Sequence, residues 1–372
     1  MTPALDAEQT TLRDTLRALL SKYSSSAHIR TAIGTSAGYD TGLWRRLVGD
    51  LGLTAIGIPE EYGGTGANIV DLAVAAEELG RALTPAPFLS CAIAIQLLLA
   101  ADAASTHVPA LVGGTATATV ALVEQSGDWS MGGQSTTARF VGGAWLVSGA
   151  KSFVTDAAVA DLFLVRAQTP DGATIFAVRR GDEVSFVDSN ALDPTRRLST
   201  LRLRDAPGEI IGDVGAADAI LERFLPVAAV VIACEQLGGA ERCLDMAVDH
   251  AKTRHQFGRP IGSFQAIKHL LADRLLDNRS AAAATYAAAR AADRPGREFH
   301  ALAGLCKSVA SEAFLAAAKA NVQVHGAIGF TWEHDAHLYL KRAIGSRVFF
   351  GSPEYHREKI ASHLFGPPQE DR

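Results

Sequence analysis

The chain has 372 residues, 48% of them hydrophobic and 20% charged, with a formal net charge of -5. That is enough to bury a large core in more than one domain, and an acidic balance with no offsetting basic stretch excludes a general nucleic-acid or polyanion binder. Cys91, Cys234, Cys243 and Cys306 lie far apart without C-x-x-C spacing, so neither a zinc ribbon nor a disulfide framework is expected, and the four read as buried thiols.

The N-terminal MTPALDAEQTTLRDTLRALL has no basic start followed by an apolar run and a cleavage site. No signal peptide is expected, a cytoplasmic location is, and the segment reads as an amphipathic helix. Apolar spacing predicts helices over 12–20, near 42–51 and over 69–83, with a Gly-rich loop between the second and third. From about Thr115 the pattern changes to short runs rich in Val, Thr and aromatics: TATVALVE, ARFVGG, AWLVSGAKSFVT, DLFLVRA, TIFAVRR and finally STLRLRD from Ser199. Gly or Asp turns separate them, which predicts an antiparallel β-domain. After the turn Asp213-Val214-Gly215, long Ala-rich helices run almost to the end. The biased run AAAATYAAARAA from Ala281 fits a plain helix whose small side chains let backbones approach. The longest strongly apolar stretches, 225–234 and 93–101, fall short of the roughly 20 residues a bilayer needs, so both read as buried helices and no membrane span is expected. The chain thus divides into an N-terminal helical domain (1–113), a middle β-domain (114–215) and a C-terminal helical region (216–372).

The most specific segment is RHQFGRPIGSFQAIKHLLADRL from Arg254. Gly258 and Pro260 are stop and turn signals, Ser263 is a candidate N-cap, and Phe264, Ile267, Leu271 and Leu275 recur on one helix face. Arg254 and Phe257 would then end the preceding helix on nearly the same side. Such a pair can hold a phosphate and stack on a flat ring; spacing alone equally fits an exposed Arg and a core Phe.

This segment resembles the R-x-x-F-G turn of the acyl-CoA dehydrogenases, flavoenzymes that oxidise acyl-CoA thioesters to 2-enoyl-CoAs. GIPEEYGGTG from Gly57, EELGR from Glu77, GAKSFVTDA from Gly149 and QVHGAIGFTWEH from Gln323 follow in that family's order and spacing. The resemblance implies an α+β multidomain fold: an N-terminal helical domain, a middle β-barrel-like domain and a C-terminal four-helix bundle. It also implies FAD, an acyl-CoA substrate of lipid β-oxidation, an electron-transfer flavoprotein or similar acceptor, and assembly with a second copy or a second acyl-CoA dehydrogenase subunit. In the family's K-x-W-x-T strand Phe153 replaces the usual Trp beside the flavin, and Thr155 keeps a hydroxyl for it. Arg254, Phe257, Gln323, Gly326 and Gly329 match residues that reach FAD in a neighbouring subunit. Two positions depart from the pattern: Ala327 replaces a glycine, and Glu354 stands where an adenine-contacting Gln is usual. Two histidines, His334 and His337, beside Glu333 lack the H-E-x-x-H order of a zinc site, so no metal is expected.

Removal of the α-proton requires a carboxylate within hydrogen-bond reach of the α-carbon. The family's Y-E-G-T motif reads Phe349-Phe350-Gly351-Ser352 here, so Phe350 occupies the position of the base. The alternative base position, on the helix before R-x-x-F-G, falls at Ala228, with Ala229 where an Arg is common. The T-E-P-G-x-G-S loop over flavin and thioester is VEQSGDWS from Val123. Three explanations follow: a subunit lacking the base in a heteromeric acyl-CoA dehydrogenase, a self-sufficient enzyme with a base displaced to Glu354 or Glu235, or a flavin-dependent monooxygenase on the same fold.

Overall fold

The computed structural model describes residues 5–66, 68–129, 131–294 and 296–365, the side chain of His363 excepted. Six helices come first: α1 (Ala7–Tyr23), α2 (Ser26–Ile33), α3 (Thr41–Gly49), α4 (Ile69–Arg81), α5 (Phe88–Ala100) and α6 (Ala104–Val112). Strands β1 (Ala118–Ala121), β2 (Thr137–Val141), β3 (Ala144–Thr155), β4 (Leu162–Thr169), β5 (Gly172–Arg179), β6 (Val184–Asp188) and β7 (Leu198–Ile211) follow. The long helix α7 (Ala217–Thr253), a two-stranded turn of β8 (His255–Gln256) and β9 (Arg259–Pro260), and helices α8 (Gln265–Ala291), α9 (Arg297–His325), α10 (Ala336–Val348) and α11 (Pro353–Phe365) complete the order.

Two compact units emerge, and they cut across the linear order. One gathers the described residues up to 30, 68–84 and those from 229 onward; the other gathers 31–66 and 85–228. The boundary at 228/229 falls inside α7.

In the first unit, α1 starts at a reciprocal cap between Asp6 and Gln9, and α4 at one between Asn68 and Asp71, each satisfying backbone donors that a helix start leaves open. The EELGR motif lies on α4. Its Glu78 pairs with Arg17 of α1, Arg17 Nε donating at 2.9 Å, and its Glu77 accepts the Tyr286 hydroxyl of α8 at 2.7 Å. A Cβ on Gly80 would sit 2.1 Å from the Glu235 carbonyl oxygen, and one on Gly238 would sit 1.9 Å from that of Glu77. The backbones of α4 and α7 therefore touch where both residues are glycine. Helix α9 packs on α8, α10 and α11 and forms the centre of the C-terminal bundle. By length and composition the helical stretch Arg297–Phe330 could cross a bilayer, which the sequence reading of shorter stretches did not anticipate, but 61% of its apolar window is buried inside the protein.

In the second unit, β4, β2, β3, β7 and β5 pair in succession, and β5 pairs back onto β4, so a ring of five strands closes, with β1 on β4 and β6 on β7. Closure removes free edges. The expected antiparallel pairing holds for β2–β3, β3–β7, β4–β5, β5–β7 and β6–β7, while β1 and β2 pair β4 in parallel, because each reaches β4 through a long excursion rather than a tight hairpin. Val147, Val154, Phe163, Phe176, Val178 and Leu201 fill its interior. Helix α5 is buried along nearly its whole length and packs on β1, as its unbroken apolar sequence requires.

Candidate active site

In the second unit the candidate flavin wall lies at the end of β3. The β3–β7 register shifts between Lys151 and Val154, and Phe153 takes a φ of +57° there. The bulge turns its ring out of the alternating core pattern, leaving it 43% exposed between the buried Lys151 and Val154. Thr155 closes the strand and is nearly buried. The loop that begins VEQSGDW folds over this strand: a Cβ at Gly127 would lie 3.2 Å from the Phe153 ring. Its Glu124 accepts from the Ser135 and Thr136 backbone N–H groups (3.0 and 2.8 Å) and from the fully buried Lys151 ammonium (3.2 Å). Burial opposes a charge on Glu124, but the hydrogen bonds from Ser135 and Thr136, with Lys151, hold its pKa at about 2. Burial lowers Lys151 to about 8 despite Glu124. These partners were not anticipated from sequence, since neither member of the pair looks unusual until β3 carries Lys151 under the loop.

The R-x-x-F-G segment departs from its sequence reading. Helix α7 stops at Thr253, so Arg254 and Phe257 lie beyond the helix in the β8–β9 turn. Phe257 has a φ of +54° and is 91% exposed, meeting Phe264 edge-on at 6.1 Å; Arg254 is exposed as well. Ser263 is not the cap of α8. Its hydroxyl donates to the Pro260 carbonyl at 2.7 Å within a short 3-10 turn, and α8 starts at Gln265 after Phe264. Gln323 is exposed near the end of α9. Gly326 ends that helix at φ +67° and ψ -140°, a conformation only glycine adopts readily, with nothing within 4 Å of an added Cβ. Gly329 is buried against Val322.

The position expected to carry the family's base is sealed. Phe350, at φ +54°, is 3% exposed and meets Phe349 edge-on at 5.1 Å. His356 Nε2 donates to its carbonyl at 2.9 Å, and burial, with Lys307 nearby, lowers this imidazole to about 4. The Lys307 ammonium, fully buried, donates to the carbonyls of Ser346 (3.4 Å), Arg347 (3.0 Å) and Gly351 (3.3 Å) and to the Ser311 hydroxyl (2.9 Å). Burial lowers its pKa to about 7. Lys307 and His356 thus fix the turn, and sequence offered no signal for either. Ala228, the alternative base position, is fully buried.

Both displaced-base candidates are already engaged. Glu235 is buried on α7 and ion-paired with Arg342. Glu354, in the first turn of α11, accepts from Arg347 at 2.6 Å and Arg357 at 3.3 Å. A backbone hydrogen bond at the helix start, the Ser352 hydroxyl and Arg347 hold its pKa at about 2. A base held so low is a poor proton acceptor at neutral pH. His334 precedes α10 in an ordinary helix start, its Nδ1 accepting from the Ala336 N–H at 3.1 Å, and among the described residues no cluster of three or more His, Cys, Asp or Glu could hold a metal.

The acyl-CoA dehydrogenase N-terminal domain matches residues 6–115, and the C-terminal domain of the same family matches residues 217–365. The chain belongs to the acyl-CoA dehydrogenase family. Acyl-CoA dehydrogenase IpdE2 of Mycobacterium tuberculosis is 36% identical over 99% of this chain and 100% of its own length. A solved structure of the Tcur3481-Tcur3483 steroid ACAD is similar at a TM-score of 0.86 and 28% identity, covering 96% of this chain and 97% of that one. The ChsE4-ChsE5 complex from Mycobacterium tuberculosis is similar at a TM-score of 0.89 and 26% identity, covering 99% and 100%.

The residues present fit the family's FAD, unit by unit. An exposed ring lifted out of a strand at Phe153, an exposed cation and ring at Arg254 and Phe257, and an open glycine approach at Gly326 offer flat faces, charge and backbone access to a dinucleotide.

Proposed function

We propose that this acyl-CoA dehydrogenase family flavoprotein is the subunit without a catalytic base in a heteromeric, cytoplasmic enzyme that desaturates a bulky acyl-CoA thioester at its α,β bond. The observation that carries this reading is Phe350, an apolar side chain buried at the family's base position and clamped there by Lys307 and His356. A benzyl group accepts no proton, so the carboxylate that removes the α-proton comes from the partner subunit. FAD, when bound, would supply the hydride-accepting chemistry, with an electron-transfer flavoprotein or similar protein as the onward acceptor. This chain's own residues then bind and orient. Arg254 would neutralise the pyrophosphate, Phe257 would offer its exposed face, Gln323 and Gly326 would bring side-chain amide and backbone to the adenosine end, and Phe153 and Thr155 would serve a flavin ring. The described character of the two solved relatives, one a steroid ACAD and the other a two-protein complex, supports both a ring-bearing acyl group and a mixed assembly. A base displaced to Glu235 or Glu354 has less support, because arginines hold both carboxylates.

The test is an anaerobic visible spectrum of the purified chain, alone and mixed with a candidate partner subunit, before and after short, long and steroidal acyl-CoAs. Flavin that bleaches only in the mixture is the expected result. Bleaching by this chain alone would overturn the proposal.

A further inference from the structure

Three histidines form a column in the first unit. His250, on the last turn of α7, stacks on His325, the last residue of α9, with ring centroids 4.2 Å apart and planes 34° from parallel. His325 stacks in turn on His334, just before α10, at 4.1 Å and 37°. Each ring belongs to a different chain segment. His250 lies four residues before Arg254, and its backbone carbonyl accepts the Arg254 N–H at 2.8 Å; His325 lies between Gln323 and Gly326 and donates from Nδ1 to the Asn321 carbonyl at 2.8 Å; His334 accepts the Ala336 N–H at the start of α10.

We infer that His325 is a positioning residue: the column clasps together the ends of α7 and α9, and with them Arg254, Gln323 and Gly326, and it does so only while its imidazoles are uncharged. The link to FAD rests on the function proposed above; the clasp itself rests on the ring geometry. Neutral imidazoles stack as flat rings, whereas two imidazolium charges at this spacing repel in a half-buried site. The groups facing the column do not relieve that repulsion evenly. Arg254 lies at the α7 end, Arg30 of α2 donates to the His334 carbonyl at 3.2 Å and pairs with Asp335 at 2.6 Å, and His337 and Lys341 of α10 both contact the Trp332 ring. Asp335 is the carboxylate beside His334, and Arg30 already engages it. Burial lowers the pKa of His250, with His325 and Arg254 adding to it, and burial likewise lowers His334, with His325 next. An imidazole whose folded pKa lies below its ordinary 6.5 supports the fold fully above pH 6.5, and that support is lost as pH falls toward the folded value.

The experiment compares the full-length chain, in its FAD-bearing assembly, with His325→Phe and with His250→Phe, each of which keeps a flat ring but cannot take a proton. Melting temperature and FAD retained through gel filtration are measured from pH 7.5 to 5.5. The wild type is expected to lose retention on the order of tenfold across that range, in the direction set by the lowered imidazoles of His250 and His334, with a parallel fall in melting temperature. In either variant the ratio of retention at pH 7.5 to that at pH 5.5 shrinks to less than about threefold, because the column holds one imidazole fewer. Variants that reproduce the wild-type pH profile in both readouts overturn the inference, since packing alone would leave that profile unchanged. If the wild type retains no FAD at any pH, the cofactor reading fails, and the melting profile, which needs no FAD, still decides for or against the clasp.

Discussion

The turn at Phe350 and the turn from Arg254 to Phe257 lie in the same unit and are built on opposite terms. At Phe350 every observed feature points inward: the ring is buried, its carbonyl is taken by His356, and the flanking carbonyls are taken by Lys307. At Phe257 the ring stands 91% exposed with a cation three residues away. A segment stabilised from within needs nothing bound, whereas an exposed aromatic ring on a strained turn gains nothing until something covers it. The contrast sets a turn sealed from within against a turn left open to a ligand.

The sharpest way to break the comparison is Phe350→Glu. A carboxylate placed in so buried a site should destabilise the chain by about 3 kcal/mol. Because burial raises the pKa of that acid, the loss should deepen as pH rises above about 4.3, which melting curves across pH would show. A variant that matches the wild type in stability and in its response to acyl-CoA would mean that Phe350 does not occupy the base position.

Next in size is Lys307→Met, which leaves three carbonyls without their donor and should lose about 2 kcal/mol in chemical denaturation. Lys307 titrates at about 7 when folded and near its ordinary 10.5 when unfolded, so the unfolded chain holds more protons between those values. Wild-type stability therefore gains from this group as pH rises through that window, and Lys307→Met should flatten the gain.

Phe257→Ala sharpens the other half of the comparison. So exposed a ring contributes little to the isolated fold, and its loss should change stability by less than about 0.5 kcal/mol, yet FAD retention by the assembly should fall. Unchanged retention would make Phe257 a surface residue and nothing more. The smallest effect is expected of Glu354→Gln, which should leave turnover of the complete assembly unaltered; a large loss in single-turnover flavin reduction would revive Glu354 as the base.

Much of this architecture was legible in advance. The helical spacing over 12–20 and 69–83 became α1 and α4, and the Val- and Thr-rich runs became strands. Short elements escaped, among them α2, α6 and the edge strand β6, because eight, nine and five residues carry too little pattern to stand out. The candidate site was legible as motif but not as geometry. Ser263 has the right chemistry for an N-cap, yet the Pro260 carbonyl claims its hydroxyl, a competition that spacing cannot show.

By itself the sequence determined the family, the α-β-α order of elements and the apolar side chains at Phe350 and Ala228, since these depend on residue identity and local periodicity. Tertiary structure alone decided that the ring of strands closes through parallel pairs, that a buried lysine and histidine lock the Phe350 turn, and that three histidines 75 and 9 positions apart in the chain stack in one column. Such contacts join residues whose proximity is set by the packing of whole helices and strands, and no local pattern records it.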